Sequence, residues 1–148
     1  MLSNCSVGTC SVTCSEGDGC VCIGDANNPN DCKCRCSHTP ECSAIPASSD
    51  MFDMSSQVRF KSQNVRLSDV ASWLDGLVPE RLAIPAADMC SSPITMGFER
   101  ISMSELINEL GLVRLGSKSS RGQSGQQSSK HSSSGTELYD GDWETYCC

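Results

Sequence analysis

Cysteine is the residue type in this chain whose abundance and spacing could do chemistry. Twelve of the 148 residues are cysteine, and nine of those twelve fall within residues 5–42. The densest run is CVCIGDANNPNDCKCRC, residues 20–36. Strand geometry puts side chains at i and i+2 on one face, so Cys20 and Cys22 point one way, and Cys32, Cys34 and Cys36 share a face on a second strand. If the Asn28-Pro29-Asn30 loop closes a hairpin, five thiols meet on one surface. Opposed residues of a hairpin have Cα atoms about 4.5–5.5 Å apart, within reach of a disulfide. The same convergence can offer tetrahedral thiolates to zinc at about 2.3 Å.

Two outcomes therefore compete for the same sulfurs, with free thiols as a third. The paired C-x-x-C knuckles of a single zinc ribbon are absent. The steps CVC and CKCRC, with no aromatic side chain in residues 1–43, resemble metallothionein, whose thiolates bridge several soft metal ions. The resemblance implies a ligand set of Cys5, Cys10, Cys14, Cys20, Cys22, Cys32, Cys34, Cys36 and Cys42, with Zn2+ as the expected ion. His38 could complete a mixed set or stand as an exposed loop histidine. The start MLSNCSVGTC has neither a basic beginning nor an apolar core, so no leader is visible and a reducing, cytoplasmic setting is expected. A leader missing upstream of this sequence would instead place the chain in the cell envelope and favour disulfides. Nine is odd, so complete pairing of this cluster needs Cys90, Cys147 or Cys148 as a further partner.

Either cross-linking or ligation is required by energetics. Between residues 5 and 43 the sizeable apolar side chains are Val7, Val12, Val21 and Ile23. Each contributes roughly 1.5–3 kcal/mol on full burial. Ordering the backbone costs about 1–2 kcal/mol per residue. Sulfur chemistry has to make up the difference: about 2–4 kcal/mol per disulfide, or about 10–16 kcal/mol for a structural zinc.

The remaining chain divides by composition. Residues 44–56 read as a linker, residues 57–113 as a folded domain, and residues 114–148 as a disordered Ser/Gly/Gln-rich segment ending in an acidic, aromatic tail. In the middle region VRLSDVASWL (65–74) and ISMSELINEL (101–110) align without a gap. Leu67, Val70, Ala71 and Leu74 recur at helical spacing, as do Met103, Leu106, Ile107 and Leu110, so each copy predicts a short amphipathic helix. Ser68 is the expected cap of the first helix and Gly76 its end. Ser102 with Glu105 forms a capping box for the second, Ser104 being the alternative cap, and Gly111 ends it. Alternation predicts strands through Val58 and Phe60, through Leu82 and Ile84, and through Ile94, Met96 and Phe98.

Residues 57–113 resemble the short N-terminal (STN) domain of secretins and TonB-dependent transducers. The resemblance is carried by NVRLSDVASWLDGLV, LAIPAADMCSSPITMGF and ISMSELINELGLV, which closes on Gly111-Leu112. It implies an α+β fold, a small β-α-β-β-α domain, preceded here by an irregular cysteine-rich hairpin module (1–43) and followed by the disordered tail. It also implies docking onto a protein partner or a second copy, without transport.

The net charge of −7 includes no contiguous basic face, which argues against nucleic acid, and no stretch reaches the ~20 apolar residues of a membrane span. Cys90 is read as a small apolar filler and Trp73 as core or subunit interface. Tyr139, Trp143 and Tyr146 among acids suggest a short docking segment. No nucleophile elbow, H-E-x-x-H helix, phosphate loop or dinucleotide fingerprint occurs, so no catalytic residues are expected. The expected function is non-enzymatic: a thiolate-rich, zinc-binding module tethered to an STN-like docking domain. The alternatives are an exported, disulfide-stapled envelope protein presenting that domain, and metal storage.

Overall fold

The structure, a computed structural model, describes residues 2–37, 50–118, 129–133 and 136–141. Among the described residues strand makes up 51% and helix 18%, the strands forming three antiparallel sheets. The first is a two-stranded hairpin of β1 (Ser3–Val7) and β2 (Cys10–Cys14). The second is four-stranded and contains β3 (Gly19–Asp25), β4 (Cys32–Ser37), β5 (Gln57–Val65) and β7 (Ile94–Ser102), in the order β4-β3-β5-β7. The third contains β6 (Glu80–Pro85), β8 (Val113–Ser117), β9 (Ser129–Ser133) and β10 (Thr136–Asp140), in the order β8-β6-β10-β9. Among the described residues two α-helices, α1 (Leu67–Asp75) and α2 (Met103–Glu109), follow β5 and β7, and a 3-10 turn, Ala86–Asp88, follows β6.

This corrects the expected α+β class of a small β-α-β-β-α domain with an irregular cysteine module before it and a disordered tail after it. The cysteine segment is regular strand, and β3 is an interior strand, pairing with β4 on one side and with β5 on the other. Its residues explain this placement. Val21 and Ile23 alternate with Cys20 and Cys22, all four are fully buried, and a strand apolar on both faces belongs inside a sheet. At the other end of the chain, Leu138 and Tyr139 of β10 pair with Pro85 and Ile84 of β6. That pairing makes the expected tail part of a sheet.

The main core lies on one face of the β4-β3-β5-β7 sheet. Val21, Ile23, Val58, Phe60, Val65, Leu74, Leu82, Ile84, Met103, Leu106 and Ile107 are among its members. In β5 the buried residues Val58, Phe60 and Ser62 alternate with half-buried Arg59 and Lys61, as the period of two requires. The helix α2 is amphipathic, burying Met103, Leu106 and Ile107, and it begins with the Ser102–Glu105 capping box. Gly111 follows it with φ of 76°, the left-handed conformation that lets the chain turn away.

The helix α1 departs from its reading. Arg66, not Ser68, occupies the cap position and makes no side-chain capping bond; Ser68 lies buried inside the helix. Every residue from Leu67 to Leu74 is buried, so α1 has no solvent face. Its Asp69 side chain is met from both sides: Ser37, ending β4, donates a hydrogen bond to Asp69 Oδ2, and Arg66 Nη2 lies 3.3 Å from the same oxygen. Lys118, beyond β8, closes the other end by donating to the carbonyls of Asp75 (2.5 Å) and Val78 (2.6 Å).

Candidate functional site

Eight of the nine expected metal ligands are joined as four disulfides. Cys5–Cys20, Cys10–Cys32 and Cys14–Cys36 have Cα atoms 5.9, 6.0 and 5.7 Å apart, and Cys22–Cys34 has them 4.0 Å apart. The expected hairpin through residues 20–36 is present, with Cys20 opposite Cys36 and Cys22 opposite Cys34. Only the second of those opposed pairs is bonded. The other three bridges run to β1 and β2, whose hairpin lies over the face of β3 turned away from the main core. Cys5, Val7, Cys14, Cys20 and Cys22 form a second, sulfur-rich core between the two hairpins.

Local chemistry docks the upper hairpin. Its turn is Gly8-Thr9, with Val7 paired to Cys10 and Gly8 at φ of 55°. A glycine first in a two-residue loop suits the twist of such hairpins. Thr9 N–H (2.9 Å) and Thr9 Oγ1 (3.1 Å) both donate to the Pro29 carbonyl, and a Cβ on Gly8 would overlap that carbonyl. The Pro29 loop is itself braced by Asn28 Nδ2 to Asp31 Oδ2 at 2.9 Å and Asn30 N–H to Asn28 Oδ1 at 3.1 Å. The signal for β1 and β2 was in the sequence: alternation on both sides of a Gly-Thr pair.

Cys42 and His38 lie outside the described residues, as do Cys147, Cys148, Trp143 and Tyr146. Cys90 is exposed and disulfide-bonded to a partner other than those eight cysteines, which corrects its reading as apolar filler; Met89 beside it is the buried residue. Trp73 is core. Among the described residues no group of three or more His, Cys, Asp or Glu is placed to hold a metal ion. A sulfur bonded to sulfur has no thiolate charge to offer a cation, so bridges and a zinc cluster are alternative states of the same cysteines.

Two further polar features stand out. Asp69 is buried with Ser37 and Arg66; desolvation raises its pKa above the ordinary carboxylate value, opposed by the Ser37 hydrogen bond and the Arg66 charge. The second is a cleft of about 290 Å³ between the β1–β2 hairpin and the β4-β3-β5-β7 sheet, lined by Ser6, Val7, Gly8, Arg59, Lys61, Phe98 and Glu99. Arg59 and Lys61 project from the same face of β5, opposite Gly24 and Cys22 of β3. On the other side β7 has an irregular register: Val58 faces Ile101 and Phe60 faces Phe98, so Glu99 and Arg100 both fall opposite Arg59. Lys61 stretches over Gly97, where a Cβ would come within 2.9 Å of Cδ, and its Nζ stands 3.7 Å from Glu99. Arg59 Nη1 is buried and has no hydrogen-bond partner among the described residues. A buried donor left in that state costs about 1–3 kcal/mol, and more when charged.

No helix among the described residues is long and apolar enough to cross a membrane. The chain matches no protein-family description, no curated protein and no solved structure.

Proposed function

We propose that this chain is a non-enzymatic binding protein of an oxidising compartment, held in shape by disulfides and presenting its surface to a protein partner. The observation that carries this reading is the four-bridge framework, in which eight cysteines within one 32-residue stretch, Cys5 to Cys36, pair completely among themselves. Three bridges join two hairpins whose shared core holds little besides sulfur, an arrangement characteristic of exported domains short of apolar core. Docking is the role implied by the resemblance of residues 57–113 to secretin and TonB-transducer N-terminal domains. The lack of any recognisable catalytic constellation in the sequence fits a binding role.

The test is to alkylate the protein during lysis of its own host, before air can oxidise it, and to count modified cysteines by mass spectrometry. The expected result is no modification at the eight framework cysteines. Eight alkylated thiols accompanied by stoichiometric zinc would overturn this reading in favour of the thiolate cluster.

A further inference from the structure

We propose that the cleft between the β1–β2 turn and strands β5 and β7 is a binding site for a carboxylate group, with Arg59 as its anchor. Among the described residues nothing accepts from Arg59 Nη1, and the atom is out of contact with water. Native proteins rarely leave such a donor unmet, and the Arg59 side chain that carries it lines an open cleft, where a turn of the guanidinium brings the donor to an acceptor from outside. The fold also takes trouble to place it. Strand alternation aims Arg59 and Lys61 into one space, the irregular register of β7 swings Glu99 to the rim, and the tethered turn at Ser6–Gly8 forms the opposite wall. Irregularities of this kind next to binding sites re-aim side chains.

The charges select the ligand class. Arg59 and Lys61 bring two positive charges and Glu99 one negative, so the cleft carries a net charge of +1. A monoanion balances this. A phosphate dianion would exceed it and face Glu99 at close range. The volume of about 290 Å³ lies at the lower end for ligand pockets, which suits one acidic side chain, a chain terminus or a small organic acid. Carboxylate oxygens accept well from guanidinium, and Lys61 can exchange its 3.7 Å contact with Glu99 for the incoming group.

The site uses residues outside the disulfide chemistry, but its hairpin wall is held by three bridges. The experiment therefore starts from protein whose intact bridges have been verified by mass. Backbone and arginine side-chain resonances of 15N-labelled protein are followed while glutarate, an Ac-Gly-Glu-Gly-amide peptide, inorganic phosphate and sodium chloride are added at matched ionic strength. Saturable shifts of Val7, Gly8, Arg59 and Glu99 are expected with the carboxylates, half-saturating on the order of 1 mM. Arg59→Gln should weaken binding at least tenfold. Glu99→Gln, at an exposed position, should tighten it several-fold, an effect that misfolding cannot imitate. Whichever of glutarate and the peptide binds tighter tells whether the carboxylate comes from a small acid or a polypeptide. Shifts equalled by chloride, no shifts with the bridges intact, or phosphate binding tighter than both carboxylates would each overturn the assignment.

Discussion

Removing the three bridges between the hairpins should release β1 and β2 while the main core stays folded. The variant is Cys→Ala at positions 5, 10, 14, 20, 32 and 36, which keeps Cys22–Cys34. The twelve residues from Ser3 to Cys14 bury Val7 as their one large apolar side chain, at 4% exposure, beside Cys5 and Cys14. Val7 contributes roughly 1.5–3 kcal/mol. Ordering each backbone residue costs about 1–2 kcal/mol, and isolated two-stranded hairpins are marginal in water. The bridges offset this. With its cysteines 15 positions apart, Cys5–Cys20 is worth roughly 3 kcal/mol in loop entropy, and the two separations of 22 a few tenths more each. The loops overlap, so together they supply less than the simple sum of ~10 kcal/mol. Val21 and Ile23 have a different anchorage, being buried against Phe60 and its neighbours in the main core. Amide hydrogen exchange reads the difference residue by residue. Protection over residues 3–14 should fall by about a thousandfold or more while that of Val21, Ile23 and Phe60 persists. If Val7 and Val12 keep their protection in the six-alanine variant, sulfur is not what holds this hairpin, and the reasoning fails.

Three other outcomes are expected. Phe60→Ala should cost about 3–5 kcal/mol in urea unfolding, because its ring is fully buried at the centre of β5; a loss under 1 kcal/mol would mean the core is not closed there. Ser102→Ala should lower stability by about 1 kcal/mol through loss of the Glu105 N–H cap, and unchanged exchange at Glu105 would contradict the capping box. Asp69, whose folded pKa is raised by burial, favours the folded state fully below its unfolded value of about 3.9, and that contribution is lost as pH rises through its folded pKa. Urea titrations across that range should therefore show a slope in wild type that Asp69→Asn removes, and identical slopes would refute it.

Local signals alone determined much of what is found here. The alternation of Val58 and Phe60, the capping box at Ser102, the turn glycine at 111 and the return of the chain between Cys20–Cys22 and Cys32–Cys36 are each set by neighbours a few residues away. Such features depend on backbone periods and short-range hydrogen bonds, which are legible in order. What tertiary structure decided are the relations between distant segments. Cys20 faces Cys36 yet bonds Cys5, because the β1–β2 hairpin lies over that face and offers a sulfur at bonding distance. The capping of α1 by Lys118, its loss of a solvent face under Ser37, and the pairing of β10 with β6 likewise join residues 32 to 55 positions apart. Spacing says which sulfurs can share a face; only the packing of one hairpin on another says which of them meet, since many pairings of the same cysteines satisfy the local rules equally well.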